Sequence, residues 1–187
     1  RPNPQVTETW HPGGKTLLLV ERRPDTDWDI LTLSLDGDRQ PTALLATQFA
    51  ETTPQVSPTG RFVSHGSNEA GCGELFVHSV AGASVKKQVT IGGGAASAWR
   101  GDEHELSFLV GDSMVVAAVM PEPELHVIGP PRVLFRSAFA TIQGKNYDVT
   151  RDGRRFLMVR TVEPVPPKEA TIVLNWMEDM RSRLQPK

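Results

Sequence analysis

The chain has 187 residues, 39% hydrophobic and 22% charged, enough for one domain with a substantial core. Lys and Arg number 20 against 22 Asp and Glu, a formal net charge of −2, which argues against a basic surface for nucleic acid or anionic membrane. The longest apolar run, MVVAAVM at 114–120, is far too short to span a bilayer, and the single Cys72 permits neither an internal disulfide nor a cysteine metal cluster.

The chain opens RPNPQ without a Met, which implies a processed or truncated N-terminus. WHPGGKTLLLV at 10–20 follows: a large apolar residue, a short polar turn, a basic residue and an apolar run of strand character. DTDWD at 25–29 alternates carboxylates as a calcium loop does, but its sixth position is Ile30, inside the run WDILTLSL at 28–35 that reads as a strand. A strand cannot wrap an ion, so these Asp residues are expected in a solvated loop between two strands.

VSPTGRFV at 56–63 repeats the first pattern, followed by the strand runs ELFVHSV at 74–80 and KQVTI at 87–91. His65 and His78 fall in adjacent strands of this unit and could be neighbours. Cys72, in AGCGE, sits in an exposed loop with no base or cation that must lower its pKa. Gly92–Gly94 precede no helix and read as a tight lead-in to a strand, not a phosphate loop. WRGDEHELSFLV at 99–110 is the third echo, followed by MVVAAV at 114–119 and RVLF at 132–135, and VTRDGRRFLMV at 149–159 is the fourth. At the end, TIVLNWMEDMRSRLQ changes from a strand to a short helix. Asn175 caps it, and Met177, Met180 and Leu184 lie on one face that packs on the rest.

Aligned on Trp10, Val56, Trp99 and Val149, the echoes recur at spacings of 46, 43 and 50 residues. A period of roughly 40–50 residues belongs to propeller blades or helical solenoids. Short alternating runs, with 16 Gly and 15 Pro between them, decide for blades. The expectation is an all-β β-propeller of about four four-stranded antiparallel blades, near 1–50, 51–93, 94–140 and 141–176, with a C-terminal helix over 176–185.

WHPGGK (10–15), VSPTGR (56–61) and VTRDGR (149–154), with WRGDEH (99–104) a worn copy, resemble the Ser-Pro-Asp-Gly-Lys/Arg turn of TolB-type, WD40-like propellers. SNEAG (67–71), DILTLSLDG (29–37) and VLNWMEDM (173–180) also look like that group's blade and C-terminal patterns. The resemblance implies a bacterial periplasmic or extracellular module, including sensor halves of membrane-anchored kinases. Here the family's Asp is Gly13 in the first unit and Thr59 in the second, and the family's Gly is Glu103 in the third, which leaves three of the four turns competent. Four units are fewer than the family's usual number. The chain is therefore a piece of a larger ring, a closed four-blade ring, or half of a homodimer joined through its terminal blades.

Neither a zinc-protease HExxH nor a GxSxG elbow occurs. Propellers bind at the channel mouth, and the residues just before each echo are the candidates: Glu8, Glu51, Gln55, Asn146 and Asp148. The leading expectation is a non-catalytic module that recognises a protein, peptide or glycan there and needs no cofactor. The alternative is a lactonase- or esterase-type hydrolase in which those oxygen ligands hold calcium, which polarises a carbonyl and activates water.

Overall fold

The computed structural model describes residues 3–80, 85–121, 125–138 and 145–159, together with positions 177 and 180. β1 (Gln5–Trp10), β2 (Thr16–Arg23), β3 (Asp27–Ser34) and β4 (Pro41–Leu45) pair in sequence order as one antiparallel sheet. β5 (Glu51–Val56), β6 (Phe62–Ser67), β7 (Glu74–Ser79) and β8 (Lys86–Gln88) form the second sheet. β9 (Ala95–Trp99), β10 (Glu105–Val110), β11 (Ser113–Met120) and β12 (His126–Arg136) form the third. β13 (Tyr147–Val149) and β14 (Phe156–Met158) pair as the described part of a fourth. The first strands of successive sheets contact one another, β1 with β5, β5 with β9 and β9 with β13, so they are the inner strands of a β-propeller.

The four echoes occupy equivalent places. Trp10, Val56, Trp99 and Val149 each end an inner strand. In every following turn the fifth residue's N–H donates to the carbonyl of the second: Gly14 to His11 at 2.9 Å, Gly60 to Ser57 at 2.9 Å, Glu103 to Arg100 at 3.0 Å and Gly153 to Thr150 at 2.8 Å. The third turn, expected to be the weak one, therefore closes like the others. Glu103 takes the left-handed conformation that Gly60 takes, at φ 63° against 80°, although a side chain there costs about 1–2 kcal/mol.

Partners in the neighbouring blade offset that cost. The Glu103 carboxylate accepts from the Thr59 N–H at 2.7 Å, the Thr59 hydroxyl at 2.6 Å and Arg61 Nη2 at 3.2 Å. Two of the three departures from the family turn, Thr59 and Glu103, thus complement each other across a blade boundary. Similar turn-to-turn contacts continue the rim: the His11 ring occupies the space where a Gly60 side chain would go, and the Gly101 N–H donates to the Arg151 carbonyl at 2.8 Å. Burial pushes the Glu103 carboxyl up, but hydrogen bonds from Thr59, Ser57 and Arg61 outweigh it and hold it below the usual range. Glu103→Ala is expected to cost about 2–3 kcal/mol, read by urea unfolding, because it strips the carboxylate's hydrogen bonds and leaves the strained φ unrelieved. Glu103→Gly should cost about 1 kcal/mol less than Ala, since it relieves the strained φ that Ala keeps.

Each blade boundary has its own core because strand residues alternate between faces. Leu18, Val20 and Ile30 meet Val63 between the first two blades. Phe62, Leu75, Val77, Leu106, Phe108 and Val115 meet between the second and third. Ala96, Ala98, Leu109 and Met114 meet Tyr147 between the third and fourth, where the Tyr147 hydroxyl donates to the Ser107 carbonyl at 2.8 Å. The outer faces of the first and fourth units are unlike. Leu19 and Leu31, which alternate with the blade 1–2 core residues, are 4% and 1% exposed, whereas Leu157 in the fourth unit is 78% exposed.

Met177 and Met180 are helical, as expected, but 49% and 45% exposed, so neither is sealed against the blades. Asn175 and Leu184 lie outside the described residues.

Candidate functional site

The inner strands β1 and β5 do not run as ideal ladders. Pairing shifts register between Thr7 and Thr9 on β1 and between Thr52 and Gln55 on β5. At the second shift Thr53 sits at φ 47°. A β-branched residue there, just before Pro54, is strained by about 1–3 kcal/mol. Bulges of this kind re-aim side chains and concentrate near binding sites.

Two clefts meet at Thr52 and Thr53. The first, about 440 Å³, lies between the inner strands of the first two blades and is lined by Val6, Thr7, Glu8, Trp28, Thr53 and Lys145, among others. The second, about 400 Å³, runs between the second and third blades over glycines at 66, 73, 92–94 and 111, with no charged side chain in its wall.

The first cleft has a definite electrostatic character. Glu8 is half-buried, and burial pushes its carboxyl up. No cation pairs with it among the described residues. Lys145 is already engaged: its Nζ is 3.0 Å from Asp148 Oδ1 and lies over the Tyr147 ring. Glu8 therefore has capacity for an incoming positive group, Trp28 supplies an aromatic wall, and three threonines supply hydroxyls.

Of the five residues named from the sequence, Glu8 lines this cleft. Glu51 is 1% exposed, and its carboxylate is taken by the Thr47 hydroxyl and N–H, so it serves the loop before β5. Burial pushes the Glu51 carboxyl up. Gln55 contributes through its backbone carbonyl, which accepts from the Trp99 indole at 3.2 Å and the Ser64 hydroxyl at 3.3 Å. Asn146 is 7% exposed, and its backbone carbonyl accepts from the Val159 N–H. Asp148 reaches the cleft through Lys145; burial pushes its carboxyl up, but Lys145 outweighs this and holds it low. Among the described residues no three His, Cys, Asp or Glu side chains stand together as a metal set.

Trp28, Thr53 and Lys145 also line the cleft and are not among those five: Lys145 immediately precedes Asn146, whereas nothing local in the sequence marks Trp28 or the bulge at Thr53.

Other sequence candidates resolve into structure. Asp29 is buried at 0% exposure, not solvated, and accepts from Thr26 at 2.9 Å with Arg23 Nη1 at 3.3 Å. Gly92–Gly94 do form the lead-in to β9, held by Glu74, whose carboxylate accepts from the N–H groups of Gly92 and Gly93. The exposed Cys72 thiol donates to the same carboxylate at 3.2 Å, which pushes the thiol up and away from reactivity.

No family model matches the sequence, and neither does any curated protein. Solved structures do. TolB from Acinetobacter baumannii is similar over 87% of this chain and 39% of its own, at 14% identity and a TM-score of 0.67. A chain named as TolB from Agrobacterium tumefaciens is similar over 83% of this chain and 60% of its own, at 20% identity and a TM-score of 0.58. A chain named as a 6-phosphogluconolactonase from Bacteroides uniformis is similar over 83% and 48%, at 19% identity and a TM-score of 0.52. This chain thus spans less than two thirds of each. The likeness is one of fold: a TolB-like β-propeller.

Proposed function

We propose that this chain, a TolB-like β-propeller, is a non-catalytic binding module whose cleft between β1 and β5 takes an extended protein or peptide segment through a basic side chain. The observation that carries this reading is Glu8: a half-buried carboxylate with no paired cation among the described residues, facing a cleft walled by Trp28. Leaving such a group partly desolvated is costly unless a ligand repays it. The Lys145–Asp148 pair neutralises itself, so the cleft's remaining charge is negative. The strained bulge at Thr53 fits a surface shaped for recognition at some expense of stability.

The resemblance to TolB-type propellers supports a periplasmic or extracellular setting. Among the described residues no helix is long and apolar enough to cross a membrane. The calcium-dependent hydrolase has no grouped ligand set in its favour among those residues.

The test is binding of the purified chain to arrays of basic, acidic and neutral peptides and of soluble glycans, with and without calcium. Capture of basic peptides is expected, and Glu8→Gln should weaken it roughly 10- to 100-fold, the size of one lost charge-assisted hydrogen bond. Binding confined to glycans, or basic-peptide binding that Glu8→Gln leaves untouched, would refute the reading.

A further inference from the structure

We propose that the seam between the first two blades is an acid-sensitive joint, held shut by an uncharged His65 and loosened when that ring takes a proton. Val63 belongs to the apolar core of this seam, with Leu18, Val20 and Ile30. Two residues on, His65 shares its face. It is 0% exposed, and neither ring nitrogen has a well-formed hydrogen bond. The ring lies instead against Phe76, opposite it on β7, with centroids 6.0 Å apart and planes 26° apart. A ring that is buried, stacked and unbonded suits the neutral form and cannot compensate a charge.

Its neighbours make the charged form worse. His78, two residues beyond Phe76, shares the same face, and its Nδ1 is also buried without a partner. Lys86 stands opposite His78 on β8, with its ammonium 4.7 Å from the centre of the Phe76 ring. Three basic side chains therefore share one face of the second blade, the face that carries Val63. The nearby carboxylates have partners of their own: Glu69 pairs with Lys86, Glu51 on β5 with Thr47, and Asp29 on β3 engages Arg23 and Thr26 through Oδ2, while its Oδ1 is buried without a hydrogen bond.

The direction with pH follows. Burial first, then Lys86 and His78, push the His65 ring from 6.5 down to about 3, against a weak opposing contribution from the Val63 backbone. The folded value is depressed, so stabilisation by the neutral ring is complete above pH 6.5 and is lost as pH falls from 6.5 toward 3. Within that window the open seam binds one more proton than the closed one. The open-to-closed ratio then rises about tenfold per pH unit. Glu51, whose carboxyl burial raises, works the other way, taking its proton earlier in the closed state. The Glu8 cleft lies between the inner strands of the same two blades, so opening would reshape it. That last consequence rests on the proposed function; the joint does not.

Amide hydrogen exchange of the intact chain at pH 6.5, 5.5 and 4.5, corrected for intrinsic rates, tests the joint. Amides of β2, β3, β6 and β7 are expected to open about tenfold more per unit of acidification, while those of β10 and β11 stay level. His65→Phe keeps the stack and removes the more deeply buried proton site, so its seam amides should show a markedly shallower profile, the remainder belonging to His78, whose ring burial also pushes down. Seam amides that track β10 and β11 at every pH, or an undiminished slope in His65→Phe, would overturn the proposal. Should that variant not fold, the imidazole NMR signal of His65 decides: no protonation above about pH 4 in the closed protein supports the joint, and a midpoint near 6.5 overturns it.

Discussion

Phe108→Ala is expected to destabilise the protein by about 3–5 kcal/mol, the usual range for a large aromatic removed from a core that cannot collapse around the gap. Phe108 is 0% exposed on β10, one of a pair with Leu106, also at 0%, that face the second blade. Leu75 and Val77 meet them from β7. The intervening Ser107 and the following Leu109 point to the fourth unit instead. Backbone hydrogen bonds to β9 and β11 hold both edges of β10 in place, which limits how far the strand can move to fill the void. Urea unfolding should show the lost midpoint, and exchange protection should fall first in β6, β7, β10 and β11. A cost below 1 kcal/mol would mean the blades repack freely, contrary to three separate inter-blade cores.

Glu74→Ala should cost about 3 kcal/mol or more. Glu74 is 3% exposed and accepts from Gly92 N–H at 2.7 Å, Gly93 N–H at 3.1 Å, the Thr90 hydroxyl and the Cys72 thiol. Truncation leaves two backbone donors unmet at about 1–3 kcal/mol each, and it frees the glycine lead-in that sets where β9 begins. Burial pushes the Glu74 carboxyl up, but the hydrogen bonds outweigh it and hold it below its ordinary value. Because the folded value is lowered, this stabilisation is present above about pH 4.3 and is lost as pH falls through the folded value. The stability gap between wild type and Glu74→Gln should therefore narrow in acid, as thermal melting at pH 7 and pH 3 would show. The same variant removes the carboxylate that suppresses Cys72, so a disulfide-exchange reagent should label that thiol faster at pH 7. Unchanged labelling would sever the Cys72–Glu74 link.

Much of the fold was readable because it is written in local chemistry. A turn needs a residue that tolerates positive φ, and Gly14, Gly60 and Gly153 advertise one. Glu103 does not, and its turn looked worn until Thr59, 44 residues away, supplied the partner. The site was less readable. Glu8 was named by its position before an echo, and it lines the cleft. Glu51, named by the same rule, turns into its own loop because Thr47 offers better hydrogen bonds than open water.

The sequence by itself determined the repeat, its strands, its turns and the alternation that splits each strand between two blade boundaries, since period-two patterning and turn propensity act over a few residues. Only the tertiary structure decided which polar groups are sealed from water and with whom. The protonation of His65, the anchoring of the glycines by Glu74 and the lack of a cation beside Glu8 among the described residues are set by neighbours on other strands and blades. Burial and pairing are properties of three-dimensional neighbours, and no spacing along the chain encodes them.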